Sequence, residues 1–185
     1  MKQLSFWFGT LIILNSCVVQ GLTNDYGKLN DSEKALIHDF EGFSEVESRA
    51  IYEINGKALR EELKNHPKSI VYKLSNGCPS EYCKPLQVYE NFAKEHGYHL
   101  FMVMIGYANL YKTMEQPFSS PLYAIDTDYY ETKISYKYNR YFDNDFMGLE
   151  TKAKQGEYLG SLYFFEGDNL VEVRRELPEE LNSQD

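Results

Sequence analysis

The sequence predicts an α/β fold in which a central mixed sheet is flanked by helices and closed by a C-terminal β-hairpin. Three observations carry this prediction. The hydrophobic pattern of residues 51–107 changes in the order strand, helix, strand, helix, strand. Residues 100–107 are almost continuously apolar, as in a central strand that is covered on both faces. The apolar runs 162–165 and 170–173 flank turn residues 166–169 and predict the hairpin.

The first strand of the predicted core is the alternating run 51–54, and Asn55 caps the helix that follows. Pro67 and the residue before it end that helix. The β-rich stretch 69–74 is the second strand, and it runs into the turn pair Asn76 and Gly77.

A second helix follows the turn. Its apolar side is formed by Leu86, Tyr89, Phe92 and Ala93. Gly97 closes this helix, and strand 100–107 comes next. Strands joined by such short helical connections form right-handed crossovers and are parallel.

The tyrosine-rich stretch between this strand and the hairpin has a less regular pattern. Residues 122–125 are expected to be extended, and residues 128–142 are expected to be helical after a cap at Asp126 or Asp128. The sequence "ISYKYNRYF" also alternates as a strand does, so both readings of this piece stay open.

The N-terminus has the layout of an export signal. Lys2 precedes an apolar run, residues 4–14, that is too short to remain as a membrane-spanning helix. The sequence "LNSC" at 14–17 resembles the bacterial lipobox. This resemblance implies a signal peptide over 1–16, a diacylated Cys17 and an anchor in a bacterial membrane, with the domain facing the periplasm or the cell exterior. An ordinary secretory signal with a chance cysteine is the alternative.

The rest of the chain is divided by composition. Residues 17–30 are polar and are expected to form a flexible tether. The domain is expected over 31–185, with a helical N-terminal extension over 31–50 and a core over 51–177.

Two of the three cysteines lie four residues apart in "SNGCPSEYCKP". With Cys17 lipidated, Cys78 and Cys83 are the cysteines left in an exported chain, and they are expected to pair with each other. They follow the carboxyl end of strand 69–74. That edge of an open α/β sheet is where sites are usually placed.

This layout resembles a thioredoxin-like domain over about residues 51–177, and "CPS..CK" is similar to the active site of membrane-tethered members of that family. The resemblance implies that Cys78 is the attacking cysteine and Cys83 the resolving one. Two features depart from the family pattern. Gly77, not an aromatic residue, precedes a spacing of four residues instead of two, and the place of the family's cis-proline is held by Gly160 and Ser161.

Local chemistry favours the other cysteine as the nucleophile. A helix N-terminus lowers the pKa of a nearby thiol, and Pro85 is tolerated in a first helical turn. A helix beginning at 81–84 would place Cys83 at its positive end, where Lys84 assists ionisation and Glu81 opposes it. The identity of the nucleophile therefore stays open.

Three functions are compatible with these observations. The first is thiol–disulfide exchange on exported proteins or small thiols through Cys78 and Cys83, with support from Lys84 and Ser161. The second is a redox-inactive lipoprotein that binds an envelope protein and carries a structural disulfide. The third is capture of a sugar or peptide by tyrosines of the segment 129–141, namely Tyr129, Tyr130, Tyr136, Tyr138 and Tyr141.

Other classes of function are disfavoured by composition and motifs. The net charge is -9 and the pI is about 5.0, and the chain has no run of basic residues, so nucleic acid is not expected as a partner. No cofactor is expected, because the chain lacks a glycine-rich phosphate loop. No metal site is expected either. The residues that could serve as ligands are His66, His96, His99, Asp126, Asp128 and Glu131, and helix capping and solvation explain them more simply.

Overall fold

The computed structural model describes residues 21–78, 80, 83–154 and 160–178. The strands are β1 (Ile37–His38), β2 (Ile51–Ile54), β3 (Lys68–Leu74), β4 (His99–Met104), β5 (Leu122–Ile125), β6 (Leu162–Glu166) and β7 (Asn169–Arg174). The helices are α1 (Asp31–Lys34), α2 (Gly56–Leu63), α3 (Leu86–His96), α4 (Leu110–Met114) and α5 (Ser135–Phe146). Among the described residues, no helix is both long enough and apolar enough to cross a bilayer.

The strands form one mixed sheet in the order β1-β2-β5-β4-β3-β6-β7. The first four pairs in this order, β1 with β2, β2 with β5, β5 with β4 and β4 with β3, are all parallel. Strand β6 is antiparallel to β3, and β7 is antiparallel to β6. The predicted α/β class, the mixed sheet and the C-terminal hairpin are confirmed.

Apolar side chains fill both faces of the sheet. Along β3, Ile70 and Tyr72 point to one face and Val71 to the other, as the two-residue period of a strand requires. Helix α3 covers the first face. Helices α2 and α5 pack together over the second face, so β3 and β4 are covered on both sides.

The order strand, helix, strand, helix, strand predicted for residues 51–107 is confirmed by β2, α2, β3, α3 and β4. The predicted cap is also present, since the Asn55 side chain accepts a hydrogen bond of 2.9 Å from the backbone N–H of Ala58. In the hairpin, Gly167 has φ +56°, which the tight turn between β6 and β7 needs and which glycine adopts without strain.

The prediction for residues 128–142 is wrong in its boundaries, because α5 begins at Ser135. The carboxylate of Asp126 caps a separate turn by accepting hydrogen bonds from the N–H groups of Asp128 and Tyr129. Glu131 then takes a left-handed conformation with φ 51°, which interrupts any helix at that point.

The N-terminal part also differs from expectation. Residues 17–30 were expected to be a tether, but the described part of that range packs on the domain. Leu29 belongs to the core, and the Asn24 carbonyl accepts a 2.8 Å hydrogen bond from the N–H of Tyr107. Residues 31–50 contain a four-residue α-helix capped by Asn30, the edge strand β1 and a 3-10 helix at Phe43–Glu45, instead of a helical extension. Residues 1–16 and Cys17 lie outside the described residues.

Candidate disulfide site

The loop that carries the cysteines is anchored at its first turn. The Asn76 side chain is buried, donates a 2.7 Å hydrogen bond to the Gly106 carbonyl and accepts one of 2.7 Å from the Thr113 hydroxyl. Gly77 has φ +61°, and a Cβ placed there would lie 2.6 Å from Cδ of Lys112. The tight approach and the positive φ explain why a glycine, and not an aromatic residue, precedes Cys78.

Cys78 and Cys83 form a disulfide with a Cα–Cα distance of 6.1 Å, which confirms the pairing expected from the sequence. Both residues are half-buried. The backbone N–H of Cys83 donates a 3.0 Å hydrogen bond to the Ser80 carbonyl, so the loop closes on itself at this point. Glu81 lies outside the described residues.

The predicted helix start is wrong. Helix α3 begins at Leu86, and Pro85 is its N-cap with an extended ψ of 145°. The side chain of Gln116 accepts a 3.0 Å hydrogen bond from the N–H of Leu86 and satisfies one of the free donors of the first turn. Cys83 lies two residues before the cap, so the local argument that favoured it as the nucleophile loses its structural basis.

The disulfide lies between two open cavities. One, of about 450 Å³, is lined by the start of α3 and by Gln116 and Pro117. The other, of about 530 Å³, is lined by β3 and by α5. We call the second one the disulfide cavity. Both cysteines line both cavities, so the disulfide adjoins open space in each of them.

The structure separates the two predicted supporting residues. Ser161 lines the disulfide cavity with both cysteines, whereas Lys84 is exposed and lines the cavity beside α3. The backbone of Ser161 is fully used, since its N–H donates to the Arg174 carbonyl at 3.0 Å and its carbonyl accepts from the N–H of Lys73 at 2.8 Å. The main-chain N–H of Ser161 is therefore not available to pair with a substrate.

Gly160 stands before Ser161 because nothing larger fits. A Cβ there would lie 2.1 Å from the Arg174 carbonyl oxygen, which belongs to the backbone of β7 and cannot turn away. No cis peptide bond occurs among the described residues.

An ion pair that was not predicted lies in the same cavity. The ammonium group of Lys73, on β3, contacts the carboxylate of Asp143, on α5. The side chains are 6% and 5% exposed, and both line the disulfide cavity. A lysine inside the otherwise apolar run "SIVYKL" was the one hint in the sequence, because an unpaired charge is not stable inside a sheet.

Two stacked tyrosines also line the disulfide cavity. The rings of Tyr72 and Tyr89 lie 3.9 Å apart between centroids, with an angle of 22° between their planes. The Tyr89 hydroxyl accepts a 3.4 Å hydrogen bond from the N–H of Lys84, which ties the end of the cysteine loop to α3. The site thus combines an apolar aromatic surface, a disulfide and a buried ion pair.

The tyrosine-rich segment divides into packing and surface residues. Tyr130 and Tyr138 are buried, and their hydroxyls donate to Asp145 at 3.0 Å and to the Ile105 carbonyl at 2.7 Å. Tyr136 is 67% exposed and lines the disulfide cavity. The segment is therefore not one continuous aromatic surface.

The histidines considered as ligands are used for stacking. The rings of His66 and His99 lie 3.8 Å apart, and Glu62 lies 2.9 Å from Nε2 of His66. Burial and the neighbouring His66 hold the pKa of His99 below its ordinary value. No group of three or more metal-ligating side chains is found in the part of the chain that the structure describes.

No protein-family model matches this chain, and comparisons with curated proteins and with solved structures give no match. A function for the chain therefore rests on the geometry of the disulfide site.

Proposed function

We propose that this chain is an exported, lipid-anchored protein with a thioredoxin-like domain, whose Cys78–Cys83 pair exchanges electrons with disulfides of exported proteins or with small thiols. The observation that carries the proposal is the position of the disulfide in the walls of two open cavities at the carboxyl end of a central strand. A disulfide that only clips a loop needs no access to a cavity.

The fold supports the same reading. Strand β3 ends at the cysteine loop, α3 follows, β4 returns parallel to β3, and the antiparallel hairpin of β6 and β7 continues the sheet on the other side of β3. These are the features on which the resemblance to thioredoxin-like proteins rests. The residue in the cis-proline place, Ser161, lines the same cavity as the sulfurs.

The exchange balances in two steps. In the reduced protein, one cysteine thiolate attacks a substrate disulfide, forms a mixed disulfide and releases one substrate thiolate, which takes up a proton. The second cysteine then attacks the protein sulfur of the mixed disulfide. This step restores the Cys78–Cys83 bond and releases the second substrate thiol, so two electrons pass from the protein to the substrate.

The buried ion pair suits this chemistry. The second cysteine must lose its proton before it attacks, and the Asp143 carboxylate is a base inside the cavity that the sulfurs line. The ammonium group of Lys73 supplies positive charge in the same cavity, and positive charge stabilises a thiolate.

The alternative is a redox-inactive lipoprotein that binds an envelope protein partner. Exposed apolar side chains favour it, because Tyr136, which lines the disulfide cavity, is 67% exposed and Leu22 is 65% exposed. In this case the replacements Cys78→Ser and Cys83→Ser would lower the melting temperature and leave partner binding unchanged.

Trapping of the mixed disulfide tests exchange directly. The full-length chain, purified in detergent, is prepared as Cys78→Ser and as Cys83→Ser, mixed with oxidised glutathione, and followed by intact-mass spectrometry. We expect the variant that keeps the attacking cysteine to form the glutathione adduct faster than the other variant. If neither variant forms an adduct faster than the same chain does when unfolded in urea, the sulfurs are not activated and the proposal fails.

A further inference from the structure

Helix α5 brings a second group of polar residues to the disulfide cavity. Asn139 and Arg140 line it from α5, and Arg175 lines it from the segment after β7. Nε of Arg140 is buried and has no hydrogen-bond partner, and the guanidinium carbon lies 5.2 Å from the centre of the Tyr141 ring. A buried donor without an acceptor is costly, so the site is incomplete as it stands.

The charges of the described residues that line the cavity do not cancel. These charged residues are Lys73, Arg140, Arg175 and Asp143. Asp143 is paired with Lys73, and no ion pair within the described ranges involves either arginine. Among the described residues, two guanidinium groups without a carboxylate partner therefore line the disulfide cavity of a protein whose net charge is -9.

An unused acceptor belongs to Asn139, the residue of α5 that precedes Arg140. Nδ2 of Asn139 donates a 3.0 Å hydrogen bond to the Ser135 carbonyl, and Oδ1 of the same side chain is buried without a partner. A bound molecule with a carboxylate for Arg140 and an N–H for Asn139 would satisfy both groups. An amino-acid residue with an acidic side chain has this combination.

We infer that the disulfide cavity selects substrates in which the reacting cysteine lies beside a carboxylate, with Arg140 and Arg175 as the residues that bind it. This inference rests on the proposed function and names its substrate class. The planar guanidinium fork of arginine matches a carboxylate with two parallel hydrogen bonds, and such charge-assisted bonds are stronger than neutral ones. Acidic peptides and carboxylate-bearing small thiols share this chemistry.

The test uses three peptide disulfides that differ in one residue beside the cysteine: Glu, Gln or Lys. The second-order rate of exchange with the reduced full-length protein is measured for each. We expect the rate to fall in the order Glu, Gln, Lys. At low ionic strength the Glu peptide should react about fivefold faster than the Gln peptide, as for a half-exposed ion pair, and we call this rate difference the step. The step should shrink as salt is added.

Variants assign the preference to the arginines. Arg140→Gln and Arg175→Gln should each reduce the step between the Glu and Gln peptides, and the double variant should remove it. Lys57→Gln removes the same charge from an exposed position on α2, outside the disulfide cavity, and should keep the full step. Circular dichroism checks that each variant is folded.

The outcomes separate the two proposals. Equal rates with all three peptides would overturn the inference and leave exchange itself intact, whereas no exchange with any peptide would overturn the proposed function. A step that survives in the double arginine variant would also overturn the inference. A second experiment compares the exchange rates with oxidised glutathione and with its ethyl ester. If the rate falls when the carboxylates are esterified, small thiols that carry a carboxylate belong to the substrate class. If the rate is unchanged, the substrate class is restricted to acidic peptides.

Discussion

Lys73 and Asp143 form an ion pair that is almost closed to solvent and that joins the central strand β3 to helix α5 in the wall of the disulfide cavity. A pair of this kind holds two charges inside the domain, and each charge is stable there because the other is present. The same contact therefore fixes α5 to the sheet and brings both charges to the cavity that the two cysteines also line.

Removing one member of this pair should destabilise the fold strongly. Lys73→Met removes the ammonium group that contacts the buried Asp143 carboxylate, and we expect a loss of about 3–5 kcal/mol in the free energy of unfolding, measured by urea denaturation. The double replacement Lys73→Met with Asp143→Leu should recover most of this loss. Lys64→Met removes a lysine from an exposed pair with Glu61 and should cost at most about 1 kcal/mol. A similar small loss for Lys73→Met would contradict the account.

Gly160 should not tolerate a side chain. In Gly160→Ala, the new methyl group meets the backbone carbonyl of Arg174, so β7 must move, and we expect a loss of about 1–3 kcal/mol by thermal or urea unfolding. Because Ser161 follows in the wall of the disulfide cavity, the rate of thiol–disulfide exchange should fall as well. Gly27→Ala, at a position where a Cβ meets nothing within 4 Å, is the control and should be close to neutral. If Gly160→Ala were as stable as wild type, β7 would be able to move away from residue 160 at little cost in free energy.

Asn76 should control how well the cysteine loop is held. Asn76→Ala removes the bonds to the Gly106 carbonyl and the Thr113 hydroxyl, and an unpaired buried group costs about 1–3 kcal/mol. We also expect faster reduction of the disulfide by dithiothreitol, because the loop loses its anchor. Asn91→Ala, on the exposed side of α3, is the matched control. Equal rates of reduction in wild type and in Asn76→Ala would show that the Asn76 hydrogen bonds do not control reduction of the disulfide.

Glu53 should reduce stability at neutral pH. Burial raises its pKa, although the Tyr107 hydroxyl donates a 2.7 Å hydrogen bond to Oε1 and opposes this effect, and Asp126 and Asp128 raise the pKa further. A carboxyl whose pKa is raised on folding stabilises the protein below its unfolded pKa of about 4.5, and this contribution is lost as the pH rises through the folded value.

Glu53→Gln should therefore be more stable than wild type at pH 7, because the Gln carbonyl still accepts from Tyr107 and carries no charge. The difference should vanish near pH 4. Unfolding in urea across pH 4–8 measures it. Glu61→Gln, at an exposed position, should stay within about 0.5 kcal/mol of wild type throughout. A variant that is less stable than wild type at pH 7 would contradict the raised pKa.

The elements that sequence predicted correctly are those with a local pattern. Strands β3 and β4 are runs of apolar and β-branched residues, and α2 and α3 have their apolar side chains on one helical face, so the periodicity identifies them without knowledge of their partners. The same order of strands and helices along the chain predicts that the cysteines follow the carboxyl end of β3. Their pairing is expected because they are the two cysteines that remain in an exported chain once Cys17 is lipidated.

The features that sequence did not predict depend on distant contacts. Helix α5 starts at Ser135 because Thr23 pairs with Ile134 and the N–H of Ser135 donates to the Leu22 carbonyl, more than a hundred residues away. The Lys73–Asp143 pair joins residues 70 positions apart. No local pattern reports either contact, because propensity and periodicity describe only neighbours in the chain.

The reduction potential of the Cys78–Cys83 pair tests the central claim most directly. The full-length protein in detergent is equilibrated with glutathione buffers of known ratio, and the fraction of free thiol is measured after alkylation. We expect a value between about -120 and -270 mV, the range of exchange catalysts. A value below about -300 mV, or a disulfide that mild reductants do not reduce, would identify a structural disulfide and contradict the account.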